Sequence, residues 1–431
     1  MKLSISKIII VLYVMMLLFS PPLRFSGVSG MRGVTADQVF LFVLVLTLFF
    51  VQTNGFLKAL ATLLDRRRFL GFWFVFLLVI GIFCAALRML FDAASEGPLI
   101  EVARIYGFVR PAFIFLLTAV LLQIKSERDG GISLRFLNRV IVSVGFVPVM
   151  CGALQGIGYE PVSDFLVANY TRDVDFDDVI TYGRAYSFFD GQPNTYGTFC
   201  AFYLLLVLGL IRGLLSLILA LPLIVVSCFG LLVSGSRGAL LSLLIVGAVW
   251  IVSRRNWMAL WAIGLTLMCS LVAVNFAGEF VPPMILDRLA DALGFGGQGS
   301  VGLVTSRLPY WGTVISLLSE MPQRMIWGVP GLLMPPADNL QLALIGLFGF
   351  VGMAIFMMIV MVMIWKLFRH RDPETQALLV FAVLMLFNGI SYPTFFSARI
   401  SDLYWLFAGI FFFYPQTKLR NANTASYPQS I

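Results

Sequence analysis

The chain has 431 residues, of which 60% are hydrophobic and only 12% are charged, and its mean hydropathy is +0.93. Soluble domains carry roughly 25% charged residues, so this composition excludes a soluble globular protein and predicts an all-α polytopic membrane protein. The formal net charge is +8, but the basic residues form no single patch, which argues against a nucleic-acid partner. The 5 cysteines lie in apolar runs without a CxxC pair, which favours buried side chains over a disulfide or a metal site.

Apolar runs of membrane-spanning length recur along the whole chain. One crossing needs about 20 apolar residues, so the sequence predicts about 12 transmembrane helices packed as a single integral membrane domain over residues 1–431. The first run has the character of a signal sequence, but no A-x-A-like cleavage site follows at once, and we expect an uncleaved helix. The predicted spans are 1–20, 37–53, 70–91, 104–124, 138–157, 194–211, 214–233, 238–253, 257–278, 340–365, 375–391 and 402–414.

Basic residues mark alternate connections between these spans. They concentrate in segments such as 66–68 and 366–371, whereas acidic residues concentrate in the other set of connections. The positive-inside rule predicts that the basic set and both termini are cytoplasmic. It places two long loops on the periplasmic side, 158–193 and, between the ninth and tenth spans, 279–339. The cations expected on that side are arginines, whose guanidinium groups bind phosphate oxygens in a bidentate manner.

A turn and a helix start are predicted where the outer loop 158–193 meets the sixth span. Gly191 and Pro193 favour the turn, and Asn194 or Thr195 can cap the helix that follows. Ordinary helix-entry chemistry does not explain why two charged residues precede this helix at the edge of the bilayer. These residues are Arg184 and Asp190.

The seventh and eighth spans are joined by a hairpin, Ser234-Gly-Ser-Arg-Gly238. So tight a turn brings the free N–H groups of the next helix, the hydroxyl group of Ser236 and the guanidinium group of Arg237 to one point. A helix N-terminus beside an arginine is a candidate anion site. Turns of glycine and serine are also common as purely structural elements, and that alternative stays open.

The outer loop 279–339 carries an amphipathic segment. The pattern predicts a helix that is capped by Ser306, ends before Met321-Pro322 and lies in the membrane interface. Arg307 and Trp311 share one surface of it because they are four residues apart. Its predicted apolar face contains Leu308, Trp311, Val314, Ile315 and Leu318.

Asp338 and Asn339 stand at the mouth of the tenth span. Asp338 can either cap that helix or act as a general base. The single histidine, His370, lies in a predicted cytoplasmic basic segment, and we find no serine triad, nucleotide phosphate loop or Cys/His metal set. An acidic run at 173–178 has calcium-loop spacing but lacks the required glycine and glutamate. We therefore expect chemistry without a metal or other cofactor.

Three stretches in this order, 184–194, 234–241 and 307–339, resemble the O-antigen ligase and polymerase superfamily, which includes Wzy-type polymerases. The similarity covers roughly the second half of the chain. It implies a GT-C-like membrane glycosyltransferase that is metal-independent and inverting. It also implies a place in the bacterial inner membrane with the active site on the periplasmic side.

The resemblance further implies that a growing glycan is transferred from undecaprenyl diphosphate to a sugar hydroxyl group of another lipid-linked repeat unit. By position Arg237 and Arg307 match the two diphosphate-binding arginines of the family, and Arg184 is a further candidate for the same role. Asp338 stands where ligases of this kind have a histidine, which favours a polymerase and leaves a ligase with another acceptor as the alternative. A chain-length regulator and a flippase are the implied partners. The supporting residues are Ser236, Trp311, Asn339, Asp190 and Asn194.

A lipid-linked oligosaccharide flippase or another transporter is the alternative from a different class, and about 12 spans fit it equally well. A transporter is expected to place its charges along a central cavity near the middle of the bilayer and to contain internal repeats. Here the two halves show no convincing similarity, and the charges gather at one edge. A structural or regulatory membrane protein is the third alternative.

Overall fold

The computed structural model describes residues 5–21, 36–64, 69–92, 110–118, 120–122, 133–170, 184–211, 214–254, 308–330, 339–370, 373–390, 392–397 and 399–425. These residues form helices joined by turns, with no strand among them. Residues 110–118 and 120–122 are helical, and a short 3₁₀ turn spans Thr394–Phe396. The other helices are α1 (Ile5–Phe19), α2 (Ala36–Val51), α3 (Thr53–Leu64), α4 (Phe69–Phe91), α5 (Leu134–Gly156), α6 (Glu160–Tyr170), α7 (Pro193–Leu210), α8 (Leu214–Val233), α9 (Arg237–Arg254), α10 (Leu308–Glu320), α11 (Arg324–Trp327), α12 (Leu340–Phe368), α13 (Pro373–Asn388) and α14 (Ile400–Ala425).

Several of these helices are suited to a membrane. Shorter apolar helices overlap further predicted spans, and the predicted span 257–278 lies outside the described residues. Apolar side chains on α8 are strongly exposed, Leu215 at 72% and Leu219 at 70%. Such surfaces suit lipid rather than water, so the fold is that of an α-helical membrane protein, while the number of spans stays a prediction. Four helical stretches are long and apolar enough to cross a membrane, namely Leu134–Gly156, Pro193–Leu210, Leu215–Val233 and Leu340–Phe368.

Two helices lie where the sequence predicted none. Helix α2 ends at Val51, within the predicted span 37–53, and a second helix, α3, begins after the single non-helical residue Gln52. Helix α6 occupies the start of the expected loop 158–193. Gly158 has φ +75° between α5 and α6, a conformation that glycine adopts readily, and it allows the chain to reverse there.

Helix α6 supports the segment that leads to the candidate site. Its last residue, Tyr170, packs edge-on against Phe188 with ring centroids 4.9 Å apart. The Tyr170 hydroxyl group donates a hydrogen bond to the Phe19 carbonyl oxygen. Burial is the main cause that raises the pKa of Tyr170, so this hydroxyl group remains a protonated donor at neutral pH.

The amphipathic helix predicted within 279–339 is present as α10. It ends at Glu320, before Met321-Pro322, as predicted, whereas its proposed cap Ser306 lies outside the described residues. Val314 and Leu318 are buried in one cluster with residues from α12. Ile315, on the same predicted apolar face, is 59% exposed. An apolar side chain exposed in this way is consistent with a helix that turns this face toward lipid.

Helix α7 lies at the centre of the bundle. It packs against α5, α8, α9, α13 and α14, and its side chains are buried along almost its whole length. Phe202 stacks on Phe381 of α13 with ring centroids 3.7 Å apart. A Cβ atom on Gly197 would lie 2.5 Å from the Ser234 side-chain oxygen, so the start of α7 is pressed against the turn between α8 and α9.

Helix α12 is kinked at Gly349, where φ is +64°. A Cβ atom there would lie 2.2 Å from the Ile326 carbonyl oxygen, so the close crossing requires glycine. The kink interrupts the helical hydrogen-bond ladder. The Arg88 side chain, which is fully buried, donates from Nη1 to the Leu347 carbonyl oxygen at 2.7 Å and to the Trp327 carbonyl oxygen at 2.5 Å. Arg88 therefore ties α4 to α11 and to the kink.

Candidate functional site

The segment 184–192 crosses the turn between α8 and α9, and we call this side of the bundle the hairpin end. Arg184 donates from Nε to the Ser234 carbonyl oxygen at 2.8 Å and from Nη2 to Asn194 Oδ1 at 2.8 Å. The neighbouring backbone N–H group of Ala185 donates to the Val233 carbonyl oxygen at 3.0 Å. Because the Asn194 amide is neutral, its bond orients the guanidinium group of Arg184 without cancelling the charge.

The hairpin itself is compact. Gly235 has φ +59°, and a Cβ atom there would lie 3.2 Å from Arg184 Nε. The Ser234 hydroxyl group donates to the Leu231 carbonyl oxygen at 2.6 Å and accepts from the backbone N–H group of Ser236 at 3.2 Å. Ser236 is buried, and α9 begins at the next residue, Arg237, which is half-buried. Arg184 and Arg237 thus both lie at this turn.

The N-cap residue of α7 differs from the predicted one. The helix is capped at Gln192, with Pro193 in its first turn, so the prediction that Asn194 or Thr195 caps it was wrong. The physical reason is that proline suits the first helical position, where its missing N–H group costs nothing. The Asn194 side chain instead accepts from Arg184.

Asp190, a predicted supporting residue, forms a buried ion pair. Its Oδ1 atom lies 2.6 Å from Nη2 of Arg399. The same nitrogen donates to the Ser20 carbonyl oxygen at 2.5 Å, so the pair joins the segment 184–192 to the residues just after α1 and just before α14. The ion pair of Asp190 therefore fixes the position of the segment 184–192, which contains Arg184.

Asn339 caps α12. Its Oδ1 atom accepts from the backbone N–H groups of Gln341 at 2.9 Å and Leu342 at 3.1 Å. The alternative in which Asp338 caps this helix was therefore wrong, because Asn339 has the extended backbone and the short acceptor side chain of an N-cap. Asp338 itself and Arg307 lie outside the described residues.

The loop between α13 and α14 was missed by sequence reasoning. In this loop, the hydroxyl group of Tyr392 lies 3.1 Å from Thr195 Oγ1 and donates a hydrogen bond to Gln192 Oε1 at 3.3 Å. Thr195 Oγ1 also lies 2.8 Å from Ser397 Oγ. We call Gln192, Thr195, Tyr392 and Ser397 the polar bridge. The sequence feature that could have located this loop is the short polar and aromatic interruption at 391–393 between two apolar spans.

The polar bridge lies between the residues around Arg184 and the start of α12. At one end, Thr195 follows Asn194, which orients Arg184. At the other end, the loop that holds Tyr392 accepts hydrogen bonds from the start of α12, where Asn339 Nδ2 donates to the Ile390 carbonyl oxygen at 3.1 Å. A continuous chain of contacts therefore runs from Arg184 to the residue that follows Asp338.

Trp311 lies on α10, which packs against α12. Its side chain is half-buried, and its Nε1 atom has no hydrogen-bond partner among the residues described. In the described ranges, no group of three histidine, cysteine, aspartate or glutamate side chains is placed to hold a metal ion. The chemical groups that this region brings together are guanidinium groups, which bind phosphate oxygens, and neutral hydroxyl and amide groups, which bind polyols.

No family model matches the chain, and no curated protein sequence matches it either.

Proposed function

We propose that this protein is a polymerase of lipid-linked polysaccharide repeat units, in which the growing glycan is transferred from undecaprenyl diphosphate to a sugar hydroxyl group of another lipid-linked unit. The observation that carries the proposal is the placement of Arg184. Its guanidinium group is oriented by Asn194 Oδ1 and by the Ser234 carbonyl oxygen, each at 2.8 Å, beside the hairpin from which Arg237 begins α9. Two of the stretches that resemble the superfamily thus meet at one point.

The proposed reaction requires only a few protein side chains. In the donor, the bond between the anomeric carbon and the diphosphate oxygen breaks, and its electron pair leaves with the diphosphate. Arg184, Arg237 and Arg307 would stabilise the negative charge that develops there more strongly in the transition state than in the ground state. Asp338 would take the proton of the acceptor hydroxyl group as its oxygen forms the new bond to the anomeric carbon. Attack opposite to the leaving group inverts that carbon.

The proposed setting follows from the same assignment. The protein would be a GT-C-like enzyme with about 12 spans in a bacterial inner membrane, with both termini in the cytoplasm and the hairpin end facing the periplasm. In this proposal the three arginines and the carboxylate of Asp338 would supply the charge that the step requires. A chain-length regulator and a flippase are its proposed partners.

The test is in vitro extension of an undecaprenyl diphosphate-linked repeat unit by the purified protein, with a chelator present. We expect a ladder of products from the wild type and its loss in Arg237→Ala, Arg307→Ala and Asp338→Ala. Arg139→Ala is the matched control, because Arg139 is an exposed arginine on α5 in the predicted cytoplasmic set. It should leave the ladder unchanged.

Two other outcomes would redirect the assignment. Single transfer to an acceptor that is not a repeat unit, without a ladder, identifies a ligase. If no glycosidic bond forms, while vesicles that contain the protein move the lipid-linked sugar across the bilayer, the protein is a flippase.

A further inference from the structure

One buried acceptor at the mouth of α12 has no hydrogen-bond partner among the described residues. The Oε1 atom of Gln341 is buried and makes no hydrogen bond within the described part of the chain. The backbone N–H group of the same residue is used, because it donates to Asn339 Oδ1. A buried acceptor that stays unpaired lowers stability, and such groups in native proteins call for an explanation. A ligand that brings a hydroxyl or N–H donor would supply the missing bond.

A second observation concerns Tyr392, which lies in the loop that contacts the same helix start. Its hydroxyl group is held by Thr195 and Gln192, while the side chain as a whole is only half-buried. A tyrosine whose hydroxyl group is fixed has a fixed ring as well. The negative face of an aromatic ring attracts the polarised C–H groups of a sugar.

The charge of this region indicates what it binds. The hairpin end contains guanidinium groups, whereas the polar bridge and the start of α12 contain neutral hydroxyl and amide groups, which suit an uncharged polyol. The backbone N–H group of Leu340 donates to the Gly389 carbonyl oxygen at 2.7 Å, so the loop of Tyr392 and the helix start of Gln341 form one junction. This junction immediately follows Asp338 in the chain.

We propose that Tyr392 and Gln341 form the binding site for the acceptor sugar, with the ring of Tyr392 against the sugar face and Gln341 Oε1 accepting a hydrogen bond from a sugar hydroxyl group. This inference rests on the proposed function for the role of the sugar as acceptor. It assigns the neutral junction to the acceptor and leaves the arginines of the hairpin end to the donor diphosphate.

The experiment separates the two substrates. The donor is a labelled undecaprenyl diphosphate-linked repeat unit whose accepting hydroxyl group is blocked, and the acceptors are repeat-unit oligosaccharides on an octyl group, which cannot act as donors. Binding of each octyl oligosaccharide to the detergent-solubilised full chain is measured by calorimetry without the donor. Rates of transfer are then measured against the concentration of each substrate.

We expect Tyr392→Ala and Gln341→Met each to raise the acceptor Kd and KM by about tenfold or more, the scale of one lost contact. The donor KM should change by less than about twofold, in contrast to Arg237→Ala. Gln341→Met should also keep or raise the melting temperature, because the substitution removes an unpaired buried acceptor. Tyr203→Phe is the matched control, since it removes a tyrosine hydroxyl group that donates to the Val142 carbonyl oxygen at 2.7 Å inside the bundle.

The outcomes distinguish this inference from the proposed function. If octyl oligosaccharides bind and the two variants weaken binding, but no transfer occurs, the sugar site is supported and the proposed polymerase activity is contradicted. If transfer occurs with an unchanged acceptor KM in both variants, the sugar site is overturned and the polymerase stands. A wild type that binds none of the oligosaccharides, or a Gln341→Met variant that melts earlier with both KM values raised equally, also overturns the sugar site.

Discussion

The guanidinium group of Arg184 and the side-chain amide of Asn194 are joined at the first turn of α7, with Nη2 donating to Oδ1 at 2.8 Å. A neutral acceptor fixes the direction of the arginine and adds no counter-charge of its own. A carboxylate at the same position would fix the direction equally well and neutralise the charge. The two cases lead to different expectations for the proposed diphosphate site.

We therefore predict opposite effects of Asn194→Asp on activity and on stability. The new carboxylate should pair with Arg184 and compete with the diphosphate, lowering the rate of transfer by about tenfold or more. The melting temperature should stay the same or rise. Asn194→Ala, which removes the bond without adding charge, should reduce the rate less. Full activity in Asn194→Asp would mean that Arg184 does not meet the anionic substrate.

Gly235→Ala should disturb Arg184 directly. The substitution places a non-glycine residue at φ +59° and a Cβ atom 3.2 Å from Arg184 Nε, which costs roughly 1–2 kcal/mol in backbone strain and shifts the arginine. Gly158→Ala is the matched control, because it has φ +75° but no atom within 4 Å of the added Cβ. Both variants should lose comparable stability, but only Gly235→Ala should lose activity per folded molecule. Equal specific activities would contradict the role of this contact.

The buried pair of Asp190 and Arg399 should behave as a unit. Asp190→Asn preserves the left-handed backbone, since asparagine tolerates φ near +53°, but it leaves a buried guanidinium group without its counter-charge. We expect a loss of about 3–5 kcal/mol in the free energy of unfolding. Arg399→Met should cost a similar amount, and the double variant should cost much less than the sum, as measured by a double-mutant cycle. Additive losses would show that the two residues stabilise the protein independently.

We predict opposite effects on stability for alanine substitutions of two glycines, one at the kink of α12 and one in α10. Gly349→Ala adds a Cβ atom 2.2 Å from the Ile326 carbonyl oxygen at φ +64°, so we expect a lower melting temperature and weaker attachment of α11. Gly312 lies in α10 with no atom within 4 Å of an added Cβ, so Gly312→Ala should be neutral or stabilise the helix by up to about 1 kcal/mol. Similar melting temperatures for the two variants would show that the kink is not a rigid feature.

Local sequence signals determined where most of the described helices run. An apolar segment in lipid must satisfy its own backbone hydrogen bonds and therefore forms a helix, so run length alone located stretches such as Leu134–Gly156 and Leu340–Phe368. The end of α10 before Met321-Pro322 was predictable for a similar reason, because proline cannot continue the hydrogen-bond ladder. The candidate role of Arg184 was also available from its place beside a helix start.

Only the tertiary structure decided which polar groups meet. Asp190 pairs with Arg399 across 209 positions of the chain, and Thr195 meets Tyr392 across 197. No local pattern encodes such contacts, because they depend on how the whole bundle packs around α7. The kink at Gly349 is likewise a consequence of a neighbouring helix, because α11 crosses α12 closely there. The sequence alone thus determined the helical membrane class and the residue types with which it can act, while packing determined which of them lie together, because burial makes each polar group depend on partners that are distant in the chain.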